Sequence, residues 1–167
     1  MVRFVAAMAA ALLLAGCAES APGAPVPTTA TSGDRTGPVD TKVPVELRPV
    51  LSVDPPGSPT GPDALAGDDG VYQVAPSIGE FTHFDDVAVQ EIPTGGWAVT
   101  LMLPSDSALL FADWTSKHVD EQLAIVIDGK LIIAPRIESA IVGGTLQISH
   151  RYTEADARDL ARSITGG

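Results

Sequence analysis

The residues from Leu123 to Pro135 constrain the fold more than any other stretch of this chain. Two apolar runs flank Asp128-Gly129, a dipeptide that readily supplies the two positive φ angles of a type I′ turn. The pattern therefore predicts a β-hairpin with a two-residue loop. Its register pairs Ile127 with Lys130, Val126 with Leu131, Ile125 with Ile132, and Ala124 with Ile133.

Both faces of this predicted hairpin are apolar. Because side chains alternate along a strand, one face carries Ala124, Val126, Leu131 and Ile133. The other face carries Leu123, Ile125, Ile127 and Ile132. A strand pair that is apolar on both faces is typical of the centre of a sheet with a cover on each side.

The remaining pattern predicts about six strands and two helices in the order β-β-β-α-β-β-β-α. The strands lie at about 71–74, 86–92, 97–103, 123–127, 130–133 and 145–149. One helix is predicted from about Asp106 to His118, and a second one begins at Thr153. Thr153 and Asp156 approximate a capping box, and Gly166 is the predicted stop. The predicted fold class is α+β, a mainly antiparallel sheet with both helices on one face.

The first 17 residues are typical of a lipoprotein signal peptide. A short basic start precedes an apolar run from Phe4 to Leu14, which is too short to span a bilayer. Leu14-Ala15-Gly16-Cys17 is similar to a bacterial lipobox, and Cys17 is the only cysteine in the chain. We therefore expect palmitate-type lipid on Cys17 to anchor the protein to the cell membrane on its extracytoplasmic side. An ordinary signal peptide with a chance cysteine is the alternative.

Residues 18–66 have the composition of a linker. They hold ten of the 14 prolines together with many Thr, Gly and Ser residues, so they offer little apolar surface to bury. Residues 43–53 have strand character, but Pro44 and Pro49 restrict such a strand to an edge. This segment is either an edge strand docked on the domain or an apolar part of the linker. The folded domain is expected at 67–167.

The charges and titratable residues do not point to catalysis. The net charge of −11 and the lack of a basic stripe exclude nucleic acid as an expected partner. His83, His118 and His150 lack the spacing of a zinc motif, although His83 with Asp85 and Asp86 is a candidate metal half-site. No serine has an evident His and acid partner. We expect no enzyme activity, no cofactor and no resident metal.

A set of short motifs connects the C-terminal half to a known family. They are Gln122–Ile137, Gly143-Gly144, Gln147-Ile-Ser149, Tyr152–Ala157 and Asp159-Leu-Ala161. Residues 122–166 resemble the head subdomain of the first periplasmic domain of SecD, a protein-export accessory subunit. Weaker similarity reaches upstream to about residue 70, and Arg48-Pro-Val-Leu51 looks like the stretch that joins that head to its base. The family usually has a glycine at the position of His150.

The resemblance implies a head that contacts exported or unfolded polypeptide, or a partner protein. SecD has a further periplasmic base and a transmembrane bundle, which are not expected here, so no proton-driven work is expected either. Two helices cover only one face of the sheet, and we expect the other apolar face to bind. The candidate binding residues are Leu123, Ile125, Ile127 and Ile132.

Three covers for that face remain open, namely a polypeptide, a second copy of the chain, and residues 45–53 folded back. The alternative function is an envelope lipoprotein that binds a small ligand or a partner unrelated to export.

Overall fold

The computed structural model describes residues 34–93 and 95–166. The predicted signal peptide and Cys17 lie outside these residues. The strands are β1 (Val39–Asp54), β2 (Ala64–Ala66), β3 (Val71–Val74), β4 (Gly79–Phe84), β5 (Asp86–Glu91), β6 (Trp97–Met102), β7 (Leu123–Ile127), β8 (Lys130–Ile133) and β9 (Thr145–Tyr152). The helices are α1 (Ser105–Lys117) and α2 (Glu154–Thr165).

The strands form two antiparallel sheets. The larger sheet has the order β2-β3-β1-β7-β8, with β4 also paired to β1, and the smaller sheet has the order β5-β6-β9. The predicted α+β class with mainly antiparallel pairing is confirmed. The prediction of a single sheet is wrong, because the chain passes from β4 of the larger sheet to β5 of the smaller one at Asp85.

The strand β1 lies in the middle of the larger sheet. It pairs with β4 and β3 along one edge and with β7 along the other, and its Val45 and Leu47 are fully buried. Pro44 lies in a register irregularity between Asp40 and Val45, where a ladder N–H is not required. The expectation of a linker through residue 66 with an edge strand at 43–53 is therefore wrong for the described part, residues 34–66.

The β7–β8 hairpin has the predicted turn. Asp128 and Gly129 have φ angles of 51° and 70°, and the pairs Ile127–Lys130 and Val126–Leu131 are confirmed. Beyond them the predicted register is wrong, because Ile125 pairs with Ile133. Ile132 is thus an extra residue in β8, a β-bulge. The bulge moves Ile133 from its predicted face to the side of the larger core.

Both faces of the hairpin are covered within the chain itself. Leu123, Ile125 and Ile127 face a large core to which the smaller sheet and both helices contribute. Ala124 and Val126 face a second core completed by side chains of β2 and β3, namely Leu65, Tyr72 and Val74. The cover exists because the larger sheet curls. A Cβ atom added at Gly67, just after β2, would lie 2.9 Å from Leu131 Cδ2 of β8.

Both helices contribute to the large core. The helix α1 buries Phe111 and Thr115, and α2 buries Ala157, Ala161 and Ile164. The predicted capping box of α2 is confirmed, with Thr153 and Asp156 each accepting a hydrogen bond from the other's backbone N–H. Gly166 ends the helix in the left-handed region, with φ 80°. Neither of these two helices is long and apolar enough to cross a membrane.

Candidate functional site

A cleft of about 530 Å³ is lined by strands of both sheets, and we refer to it as the inter-sheet cleft. One wall is formed by residues 131–135, which include most of β8, and another by Ser149 and His150 of β9. The turn between β2 and β3 closes a third side with residues 66–69. The side chains of Tyr72 and Gln122 also line the cleft. Its volume is within the range typical of ligand sites.

The cleft brings together two strand edges. In the part of the chain that the structure describes, β8 pairs with β7 alone and β9 pairs with β6 alone. Lys130 and Ile127 face each other where the two-residue turn closes, so the next residue, Leu131, directs its backbone N–H and C=O away from β7. The outer edge of β8 therefore presents backbone donors and acceptors beside the cleft.

Both edge strands are irregular where they line the cleft. In β8 the extra residue is Ile132. In β9 the register jumps between Ser149 and Tyr152, which leaves His150 and Arg151 without counterparts in β6. Bulges of this kind turn side chains out of the regular alternation and are frequent beside functional sites. Here they lie on two of the walls of one cleft.

Two carboxylates stand at the rim of the cleft. Asp68 and Asp69 lie in a turn closed by a hydrogen bond of 2.8 Å from the Gly67 N–H to the Gly70 carbonyl. Asp68 Oδ2 is 3.5 Å from His150 Nε2, so this contact joins the turn of the larger sheet to the edge of the smaller one. The turn at residues 68–70 thus lies beside a histidine that is 80 residues away in the sequence.

Two tyrosines near these carboxylates have raised pKa values. Burial of the Tyr72 hydroxyl raises its pKa above the ordinary value, and the charges of Asp69 and Asp68 raise it further. The pKa of Tyr152 is raised first by burial and then by Asp68 and Asp156. Both effects disfavour a tyrosinate. Tyr72 and Tyr152 therefore remain neutral hydrogen-bonding groups at physiological pH.

The four predicted binding residues do not form one open surface. Leu123, Ile125 and Ile127 are at most 4% exposed, so the prediction that they form an uncovered binding face is wrong. Leu123 and Ile125 border an apolar cleft of about 280 Å³ beneath residues 135–141, which also contacts Phe111 of α1. Ile127 borders a separate cleft of about 290 Å³ beside α2. Ile132 lines that same cleft and also the inter-sheet cleft.

The histidines have separate surroundings. His83 Nδ1 lies 2.8 Å from Asp40 Oδ1 on the surface between β4 and β1, while Asp86 accepts a hydrogen bond from the Gly37 N–H instead. His118 follows the end of α1 and contacts the Trp114 carbonyl through Nδ1 at 2.8 Å. Among residues 34–93 and 95–166, no three His, Cys, Asp or Glu side chains converge on a position for a metal ion.

Sequence reasoning missed the part of the cleft that comes from the β2–β3 turn. Asp-Asp-Gly at residues 68–70 is a common local turn pattern, and nothing in it indicates that Asp68 and Asp69 lie beside β8 and β9. His150 did carry a sequence signal, because the family that the chain resembles usually has glycine there. That departure marks a position on the wall of the inter-sheet cleft.

The fold agrees with what comparisons with known proteins find. A profile of the family described as SecDF, P1 head subdomain, matches residues 80–167, more than half of the chain. The chain belongs to the SecDF P1 head family. The resemblance noted in the sequence is therefore confirmed. Because the matched residues begin within β4, the turn that carries Asp68 and Asp69 lies upstream of them.

Relatives of this SecDF P1 head include much longer proteins. The protein translocase subunit SecD of Rhodobacter capsulatus is 31% identical over 138 residues, which cover 77% of this chain and 24% of that protein. The same subunit of Mycobacterium tuberculosis H37Rv is 34% identical over 100 residues, or 58% of this chain and 18% of that protein. The chain thus spans about a quarter or less of these relatives.

Solved structures show the same fold. One, described as "Structure and function of a membrane component SecDF that enhances protein export", has a TM-score of 0.53 at 21% identity, covering 74% of this chain and 64% of that one. A crystal structure of SecDF in a super-membrane-facing form has a TM-score of 0.54 at 20% identity, covering 74% of this chain and 19% of that one.

Proposed function

We propose that this protein is a non-catalytic binding module of protein export that contacts exported or unfolded polypeptide on the extracytoplasmic side of the cell membrane. One observation carries the proposal: along one wall the inter-sheet cleft has the outer edge of β8, which pairs with no second strand among the described residues. An unpaired strand edge recognises any extended chain, because the ladder of main-chain hydrogen bonds does not depend on side chains.

The lining of the inter-sheet cleft suits an unfolded chain better than a folded partner. Leu131, Ile132 and Tyr72 offer apolar contact, while the edge of β8 offers backbone hydrogen bonds. An unfolded polypeptide carries both apolar side chains and unsatisfied backbone groups, and a folded surface exposes few of the latter. The relatives named as translocase subunits and the solved neighbour described as enhancing protein export support the same assignment.

The anchor in this proposal is lipid on Cys17. Its support is the sequence Leu14-Ala15-Gly16-Cys17, with a single cysteine at the one position that a lipobox requires. A lipid anchor would hold the domain at the membrane surface, where exported chains emerge. The overall charge of −11 disfavours adhesion to anionic lipid by electrostatics, so the anchor carries the membrane attachment.

A second candidate function is the binding of a small apolar ligand or an envelope partner unrelated to export. The observation that favours it is the cleft of about 280 Å³ beneath residues 135–141, lined by Phe111, Leu123 and Ile125. This volume lies near the lower limit for ligand sites. A thermal-shift screen against unfolded peptides and envelope metabolites separates the two functions. Whichever class of ligand binds the folded state raises the unfolding temperature.

Site-specific photocrosslinking tests the proposed function. The full chain is made with a photoreactive residue at Ile132, and a secretory polypeptide of known sequence is arrested during export. The matched control carries the probe at Leu109, an apolar side chain on α1 that is 71% exposed. We expect adducts with the arrested polypeptide from position 132 and not from position 109. Adducts only with the chain itself, or none, would contradict polypeptide binding.

Cells that produce the full chain also test the lipid anchor, with Cys17→Ser as one further variant. With Cys17 intact, we expect labelled palmitate on the protein and recovery in the membrane fraction. With Cys17→Ser, both should be lost, while purified protein still crosslinks from position 132. Unlabelled but membrane-bound protein would contradict the lipid anchor without affecting the polypeptide site.

A further inference from the structure

Resting on the proposed function, we infer that the inter-sheet cleft selects positively charged extended segments, which add to the outer edge of β8 as a further strand. The inference combines two features of the same cleft, the backbone edge and the acidic rim. The edge accounts for the binding of an extended chain, and the rim accounts for the preference among such chains.

The usable edge of β8 is short. It begins after the charged side chain of Lys130 and runs from Leu131 to the N–H of Ala134. It ends there because the Ala134 carbonyl already accepts a hydrogen bond of 3.2 Å from Gln122 Nε2, and Pro135 has no N–H to offer. Four residues at about 3.3 Å each span roughly 13 Å. The bulge at Ile132 interrupts regular pairing, and bulges and lysines at edges are known to limit uncontrolled strand addition. The cleft therefore accepts a short stretch of a longer chain, held weakly enough to be released.

The acidic rim lies on the turn that closes the cleft. Asp68 has an exposed side chain whose Oδ2 is 3.5 Å from His150 Nε2, and Asp69 beside it is exposed. Among the described residues that line the cleft, His150 is the one basic side chain. Because the rim has two carboxylates and one histidine, its net charge is negative. A positively charged side chain on an added strand therefore gains a partner here, whereas an acidic one is repelled.

The charge of the whole chain supports the same preference. With a net charge of −11, the chain attracts cationic segments from a distance and repels anionic ones. This general field acts at every part of the surface, so it does not by itself select the cleft. The contribution of the rim is the part that changes when Asp68 and Asp69 alone are altered.

Peptide binding to the full chain tests the inference. Three unstructured peptides of equal length share alternating apolar residues and differ only in the intervening positions, which are Lys, Gln or Glu. Fluorescence anisotropy at low salt gives each Kd. We expect the Lys peptide to bind about fivefold more tightly than the Gln peptide and the Glu peptide to bind most weakly, since exposed charge pairs contribute little each.

Two variants assign that preference to the rim. Asp68→Asn with Asp69→Asn should bring the Lys and Gln peptides to within about twofold of each other. The control is Asp113→Asn with Asp159→Asn, two exposed carboxylates that pair with Lys117 and Arg162 on their own helices. It removes the same charge and should leave the preference in place. Equal losses in both variants would assign the preference to the general field and overturn the inference.

A modified ligand tests strand addition separately. A Lys peptide methylated on alternate backbone nitrogens keeps its charge but cannot donate on one edge, and we expect it to bind at least about tenfold more weakly. Equal binding of both forms would overturn the addition to β8.

If all three unmodified peptides bind equally, the inference fails while the proposed function stands. If none of them binds, the proposed function itself fails.

Discussion

Gly144, just before β9, packs tightly against Ala108 of α1. Its φ of +63° lies in the left-handed region, and a Cβ atom added there would come within 2.5 Å of Ala108 Cβ. Its carbonyl accepts a hydrogen bond of 2.8 Å from the Leu103 N–H, so the backbone is held at this point. Neither the backbone angle nor the close packing leaves room for a side chain.

Replacing this glycine should therefore destabilise the fold. For Gly144→Ala we expect a loss of about 2–4 kcal/mol in the free energy of unfolding, from the left-handed backbone and the overpacking together. Gly143→Ala is the matched control, because a Cβ atom at Gly143 meets nothing within 4 Å. Its effect should stay within about 0.5 kcal/mol. Urea denaturation of both variants measures this, and equal losses would contradict the described contact.

Residue-level chemistry accounts for what the sequence predicted correctly and for one error. The turn at Asp128-Gly129 and the capping box of Thr153 with Asp156 depend on neighbours in the chain, so local rules are sufficient. The bulge at Ile132 is not local. A continuous apolar run fits β8 equally well with and without an extra residue, and only the packing of Ile133 against the large core separates the two.

At the scale of elements, β1 is the feature that composition concealed. Its prolines suggested a linker or an edge, yet both edges of β1 are paired. Pro44 lies in an irregular part of the ladder, and the Pro49 carbonyl accepts a hydrogen bond of 2.8 Å from Ala75. With β2 assigned to a linker and all strands placed in one sheet, the two helices were the main cover that the sequence offered for the β7–β8 hairpin. The face that was predicted to be open is instead the one that the smaller sheet and both helices cover, and β2 and β3 cover the other face.

Two leucines within β1 test its place in the core. Leu47 is fully buried and Leu51 is 70% exposed, although both lie in one strand and have the same side chain. We expect Leu47→Ala to cost about 3 kcal/mol of unfolding free energy and Leu51→Ala less than about 0.5 kcal/mol. Guanidinium denaturation gives both values. Small losses of unfolding free energy at both positions would contradict the place of β1 in the core and favour a linker at residues 43–53.

At the scale of the whole molecule, the two sheets share the large core and leave a cleft beside their edge strands. The fold class and the family were readable from the sequence, because the hairpin, the α2 cap and the glycine turns of the C-terminal half are local patterns. The cleft was not readable, because its walls come from residues 66–69, 131–135 and 149–150, together with Tyr72 and Gln122. Their proximity depends on how the larger sheet curls towards the smaller one.

The central claim is that an extended polypeptide occupies this cleft along the edge of β8. Hydrogen–deuterium exchange of the full chain, with and without a saturating Lys peptide, tests it most directly. We expect amides at 131–134 and 149–151 to exchange about tenfold more slowly with peptide. Amides of β5, the opposite edge of the smaller sheet, should not change. Protection at β5, or none at the cleft while the peptide is bound, would contradict the account.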